Sequence, residues 1–206
     1  MTRPADPVVE HIRRTAMECT SLDVLRDHAV GCVACPELVA ERNTVVPGAF
    51  PAGARLLLVG EAPGAQEDES GQPFVGKGGQ LLNRLLDEAG LQRHSVAVAN
   101  TLKCRPPANR TPTRAEMHRC RGWLDRQVEL ADPRLVVTLG GTALSWALGT
   151  GLRLGDVRGR VHAWRGRSLL PTYHPSAALR FGPNGAPMAA LANDLRLAAA
   201  TLAELS

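Results

Sequence analysis

The sequence predicts an α/β fold in which four parallel strands are covered by helices on both faces. Three observations carry this expectation. Runs at 55–60, 95–100, 134–139 and 168–172 are apolar almost throughout, as strands buried on both faces require. Helical patterns alternate with these runs, the order that builds a parallel sheet. The runs end in Gly60, Asn100, Gly140-Gly141 and Tyr173-His174, small or polar residues at the carboxyl ends where open α/β sheets bind ligands.

Residues 1–30 read as an N-terminal segment that is polar and uneven, with a short helix over 21–29 placing Leu22 and Leu25 on one face. Residues 31–206 read as the main domain. It opens on the turn-rich Gly31-Cys32-Val33-Ala34-Cys35-Pro36 and a linker bearing Pro47, Gly48, Pro51 and Gly53. Strand 55–60 then runs into the loop Gly60 to Leu82, GEAPGAQEDESGQPFVGKGGQLL, whose small residues let backbone approach a ligand closely. Leu81, Leu82, Leu85 and Leu86 recur at helical spacing and predict a helix over 78–90. Strand 95–100 leads to an irregular Pro-rich segment at 105–112. A helix over 113–130 follows, opened by a capping box of Thr113 and Glu116. Strand 134–139 meets Gly140-Gly141 and a helix over 142–148. A hairpin is expected around Gly155 to Trp164, strand 168–172 delivers Tyr173-His174-Pro175-Ser176, and a helix over 188–204 closes the domain.

The chain has 206 residues, 44% hydrophobic and 21% charged, which is ordinary globular usage and suits one substantial core. The net charge is +4, and Lys77 and Lys103 are the only lysines beside many arginines. This balance permits phosphate binding without demanding it. No apolar run approaches the roughly 18 residues of a membrane span, and residues 1–10 lack a signal-peptide layout. A cytoplasmic protein with no membrane partner is the expectation.

In a reducing compartment, five cysteines argue against a disulfide framework. Cys32 and Cys35 form a C-x2-C pair, and Cys104 and Cys120 lie far downstream. One close pair and two distant cysteines suit a four-cysteine site for tetrahedral zinc or an iron–sulfur cluster. Its job would be structural, tying the N-terminal segment to the loop after the second strand. Cys19 reads as a bystander.

GEAPG at 60–64, Glu67-Asp68, PFVG at 73–76, NTLKCRPPANRTP from Asn100, and HPS at 174–176 stand in this order. Together with the cysteine layout, the set closely resembles the family 4, iron–sulfur uracil-DNA glycosylases over roughly residues 30–204. The resemblance implies a three-layer α/β/α sandwich with a central four-stranded parallel sheet. It implies a 4Fe-4S cluster on Cys32, Cys35, Cys104 and Cys120, leaving zinc as the minor option. It further implies that uracil is flipped out of single- or double-stranded DNA and its N-glycosidic bond hydrolysed, leaving an abasic site that starts base excision repair.

The chemistry of individual residues agrees with that implication. An Asn amide at a strand end donates to O4 of uracil and accepts from N3–H, whereas cytosine reverses both signs. Asn100 is that candidate. Phe74 can stack on the flipped base. Departing uracil carries negative charge mostly at O2, and His174 is the donor aimed there. The resemblance places Gly60, Ala62 and Gly64 along the base site. In the better-known family 1 enzymes, the places of Ala62 and Gly64 hold an Asp that helps place water and a Tyr that excludes thymine. The resemblance carries Glu67 over as the thymine barrier and sets Glu61 beside the base as a water-positioning or pocket-shaping residue.

Lys77, Arg105, Arg110, Ser176 and Arg180 are candidates for DNA phosphates, and Leu179 or Arg180 for filling the gap left by the flipped base. A monomer is expected. The alternative is a related protein that captures uracil-DNA in a tight or covalent complex without turnover. Such relatives carry a basic, His-bearing insertion after the second strand, and the loop here, CRPPANRTPTRAEMHRC, has none, with His118 falling in the predicted helix.

Overall fold

A computed structural model describes residues 6–205. Two helices come first, α1 (Pro7–Glu18) and α2 (Leu22–Val30), then the short α3 (Pro36–Val39). Strand β1 (Leu56–Gly60) is followed by α4 (Ala65–Ser70) and α5 (Lys77–Glu88), β2 (Val96–Asn100) by α6 (Arg114–Ala131), and β3 (Leu135–Leu139) by α7 (Gly141–Leu148). The chain ends with α8 (Leu154–Val157), β4 (His162–Trp164), β5 (Arg167–Thr172), α9 (Pro175–Phe181) and α10 (Ala186–Glu204).

The sheet has five strands in the order β2-β1-β3-β5-β4. The four expected strands are all present and parallel to one another. The fifth, β4, is a correction to the four-stranded expectation: it pairs antiparallel with β5. At three residues it is too short for a period-two pattern. It forms because Arg165 and Gly166, both at positive φ (47° and 74°), turn the chain back as a tight hairpin. The hairpin therefore closes at 165–166, after the short α8.

Alternate residues of each central strand face opposite layers. Leu56, Leu58, Val96, Val98 and Val137 pack with α5 and α10 on one side. On the other, Leu57, Val59, Ala97, Ala99 and Val136 meet Leu124 and Val128 of α6 and Trp146 of α7. The result is the three-layer α/β/α sandwich.

A third cluster stands apart. Ile12 and Ala16 of α1, Leu25 and Ala29 of α2, Leu102 and Trp123 surround Cys19, Cys35, Cys104 and Cys120. Residues 6–30 thus pack into the same core as the cysteines. Arg119 of α6 binds Asp6 at 3.3 Å, and Arg126 donates to the carbonyl of Cys19 at 2.8 Å.

Register decides where the site forms. Gly60 lies beside Asn100, and Leu139 lies beside Thr172. The residues that follow, Glu61, Thr101, Gly140 and Tyr173-His174, emerge along one edge of the sheet.

Candidate functional site

Asn100 ends β2 with its side chain 3% exposed, and its Oδ1 is buried without a hydrogen-bond partner. A buried acceptor left empty is costly, so its presence points to a ligand that fills it. Gly60, directly opposite on β1, leaves the space: a Cβ there would stand 2.5 Å from Asn100 Oδ1 and 2.6 Å from Phe74 Cζ. Three residues from two strands and a loop therefore converge on one slot.

Phe74 holds its place through a left-handed backbone, φ 58°, that costs energy for a non-glycine residue. Glu67 secures it. One carboxylate oxygen accepts from the N–H groups of Val75 (2.9 Å) and Gly76 (2.7 Å), and the other from Gly64 N–H at 3.1 Å. A single side chain thereby braces the GEAPG loop against the PFVG loop. Its neighbour Asp68 is fully buried and accepts from the backbone of Asn43 and Thr44 and from Asn43 Nδ2 at 2.8 Å. Gly79 completes the support, since any Cβ there would overlap the Phe74 carbonyl, 1.8 Å away.

His174 approaches from β5, its ring centroid 6.2 Å from that of Phe74 at a 34° tilt. The side chain caps α9: Nδ1 accepts from Ser176 N–H at 3.2 Å and sits 2.8 Å from Ser176 Oγ. With Nδ1 held as an acceptor, the neutral ring carries its proton on Nε2, free to donate. Burial pushes the imidazole from 6.5 down to about 4, against the opposing pull of Glu67. A cavity of about 300 Å³ lies here, walled by Glu61, Ala62, Gly140, His174, Ser176 and Arg180. Glu61 accepts from the Thr142 hydroxyl on the far wall. Thr142 was not singled out from sequence, and the Gly140-Gly141 pair just before it was the available signal.

The four cysteines Cys32, Cys35, Cys104 and Cys120 line one small enclosed cavity with Arg42, Lys103 and Trp123. Arg42 donates to Cys104 Sγ at 2.9 Å and to the carbonyl of Cys32 at 2.7 Å. The Lys103 N–H donates to Cys120 Sγ at 3.3 Å. Burial raises all three inner thiols, Cys35 to about 12, so they resist ionising without a cation beside them. Burial also pushes the Lys103 ammonium down to about 8, with the Cys120 and Cys104 sulfurs opposing the shift. Trp123 is 2% exposed and its Nε1 is buried with no acceptor. Two cations and an orphaned donor around four soft thiols fit a group that brings anionic sulfur. Among the described residues, no three His, Cys, Asp or Glu side chains are grouped to hold a single metal ion. Cys19 stands outside the set, donating to the Thr15 carbonyl at 3.2 Å.

The DNA candidates divide. Lys77, Leu179 and Arg180 are exposed around the base site, and Ser176 holds His174. Arg105 is bound to Asn109 Oδ1 at 2.8 Å. Arg110 forms two bonds, 2.6 and 3.0 Å, to the buried carboxylate of Glu116, which also completes the capping box with Thr113. That pairing gives Arg110 a structural task. His118 lies exposed on α6.

Comparison with known proteins agrees with this geometry. Residues 47–196 match the family model of the uracil DNA glycosylase superfamily. A type-4 uracil-DNA glycosylase of Thermotoga maritima is 42% identical over 161 residues, 77% of this chain and 83% of that protein. The type-4 uracil-DNA glycosylase of Sulfurisphaera tokodaii is 38% identical, over 80% of this chain and 78% of its own length. That of Saccharolobus solfataricus is 40% identical over 77% of each. With the family match spanning the sheet and its catalytic edge, the chain belongs to the type-4 branch of the uracil DNA glycosylase superfamily.

Proposed function

We propose that the chain is a monofunctional uracil-DNA glycosylase that hydrolyses the N-glycosidic bond of uracil flipped from single- or double-stranded DNA. The unpartnered, buried Oδ1 of Asn100 carries this reading, facing Phe74 and sharing an edge with His174. Oδ1 accepts from uracil N3–H while Nδ2 donates to O4, and Phe74 stacks on the ring. The Nε2 proton of His174 meets O2 as charge builds there, so the leaving group departs as a stabilised anion. Glu61, steadied by Thr142, positions the water that captures the sugar. Glu67 narrows the entrance against the 5-methyl group of thymine through the loops it braces. Lys77, Arg105, Ser176 and Arg180 take phosphates, and Leu179 or Arg180 fills the vacated stack. A fluorescent uracil oligonucleotide incubated with the protein and then with alkali should be cut; an uncut strand overturns the reading.

The catalytic unit is residues 31–206, with the N-terminal helices covering the cysteine centre. Cys32, Cys35, Cys104 and Cys120 would hold a 4Fe-4S cluster, a reading supported by the enclosed thiols, the flanking Arg42 and Lys103, and the orphaned Trp123 N–H. A cluster there supplies cross-linking of distant segments and negative charge rather than bond cleavage.

The imidazole predicts a pH profile. Because its folded pKa is about 4, below the ordinary 6.5, the neutral donor persists through mildly acid conditions. Single-turnover rates should hold level from neutral pH downward and fall only as pH approaches 4. The same depression contributes stability above pH 6.5 that is lost as pH falls toward 4. A rate that rises as pH falls through 6.5 would show that His174 acts as the imidazolium, and one that falls through 6.5 would show that burial does not lower its pKa.

A further inference from the structure

An edge strand leaves one row of backbone groups without a ladder, and whatever packs beside it must satisfy them. Strand β2 is such an edge. Along its outer side Ala49 and Val98 exchange both backbone hydrogen bonds at 2.8 Å. The segment then leaves the strand. At Asn100 the carbonyl is met instead by Lys103 Nζ at 2.9 Å. The same ammonium donates to Gln127 Oε1 at 2.5 Å, and Gln127 Nε2 donates to the Pro47 carbonyl at 2.6 Å. A side-chain bridge thus replaces the missing strand at the residue that reads the base.

Lys103 is 1% exposed, and both of these acceptors are uncharged oxygens. A buried ammonium needs a counter-charge. The sulfurs lie close by: Lys103 lines the cavity that holds all four thiols, and its backbone N–H donates to Cys120 Sγ at 3.3 Å. Among the described residues, two oxygens accept from its three N–H groups.

We infer that Lys103 is a positioning residue that pins Asn100 and couples the base pocket to the cysteine centre. The anionic sulfur that a cluster would bring to this cavity would hold the ammonium, the ammonium holds the Asn100 carbonyl, and that carbonyl fixes the side chain facing uracil. The inference rests on the reading of Asn100 given above. It assigns the cysteine centre an influence on base recognition, separate from bond cleavage at His174.

The test combines Lys103→Met with Asn100→Ala, using the cluster's visible absorption to follow the centre and saturation-transfer NMR to follow free uracil binding. Lys103→Met should weaken uracil binding and raise KM, lowering kcat/KM by about 10- to 100-fold, the loss of one charge-assisted hydrogen bond. In the Asn100→Ala background the same change should cost about threefold or less, because both act through one side chain. Gln127→Leu, which removes the ammonium's other anchor, should move binding in the same direction and serves if Lys103→Met does not fold. Equal losses in both backgrounds, or unchanged uracil binding in both variants, overturn the inference. A wild-type chain that binds uracil without cleaving DNA would sink the catalytic reading and leave this one standing. Failure of the wild type to bind uracil would end both.

Discussion

Asn100→Ala and His174→Ala should each slow uracil release by about 10²–10³-fold, the loss typical of one transition-state donor. The two losses should differ in kind. In the proposed mechanism Asn100 bonds to the base before and during cleavage, so its removal should also weaken uracil binding and erode discrimination against cytosine. His174 is there proposed to meet charge that exists only as the bond breaks, so its removal should lower kcat with little change in KM. Single-turnover kinetics on uracil- and cytosine-bearing strands separate these outcomes, and normal turnover in either variant would remove that residue from the mechanism.

Cys120→Ala should abolish the visible absorption of the proposed cluster and destabilise the protein by about 3–5 kcal/mol, the cost of leaving a buried charge unpaired. The uncompensated charge is Lys103, held beside Cys120 with only neutral oxygens for company. For a chain of this size the loss corresponds to a fall in melting temperature of about 6–20 °C. Cys19→Ala supplies the control, since the Cys19 thiol donates within α1, to the Thr15 carbonyl, and the Arg126 bond to its backbone carbonyl is kept. A colourless Cys120→Ala protein that melts with the wild type would show that the centre contributes nothing to the fold.

The central strands were legible because each is an unbroken buried run, α5 because its leucines recur at helical spacing, and α6 because Thr113 and Glu116 mark its start. Helix α1 was not: only Ile12 and Ala16 are buried along its 12 residues, too sparse a stripe to stand out. The six residues of α4, AQEDES, bury only Asp68, and α9 has seven residues that begin on a proline. Short or polar helices of this kind exist because tertiary contacts hold them.

At the site, Asn100, Phe74 and His174 stood out because they fall in the motifs of the resemblance, at strand ends or in a loop, and their residue types suit the chemistry of a base. Glu67 was located but not its work, since bonds to Gly64, Val75 and Gly76 depend on how two loops meet. Lys103, Gln127, Arg42 and Trp123 left almost no local signal, because burial of a polar group is decided by distant partners. One trace was available. Lys103 is one of two lysines in a chain that otherwise uses arginine, and a compact ammonium fits a narrow buried site where a guanidinium fork does not.

The two margins of the sheet are finished differently, and both finishes discourage recruitment of a foreign strand. Along β2 the Ala49 pairing and the Lys103–Gln127 bridge occupy the outward backbone groups. At the opposite margin β4 is only three residues long and flanked by the Arg165-Gly166 turn. A foreign strand therefore finds little open ladder on either side from which to extend the sheet.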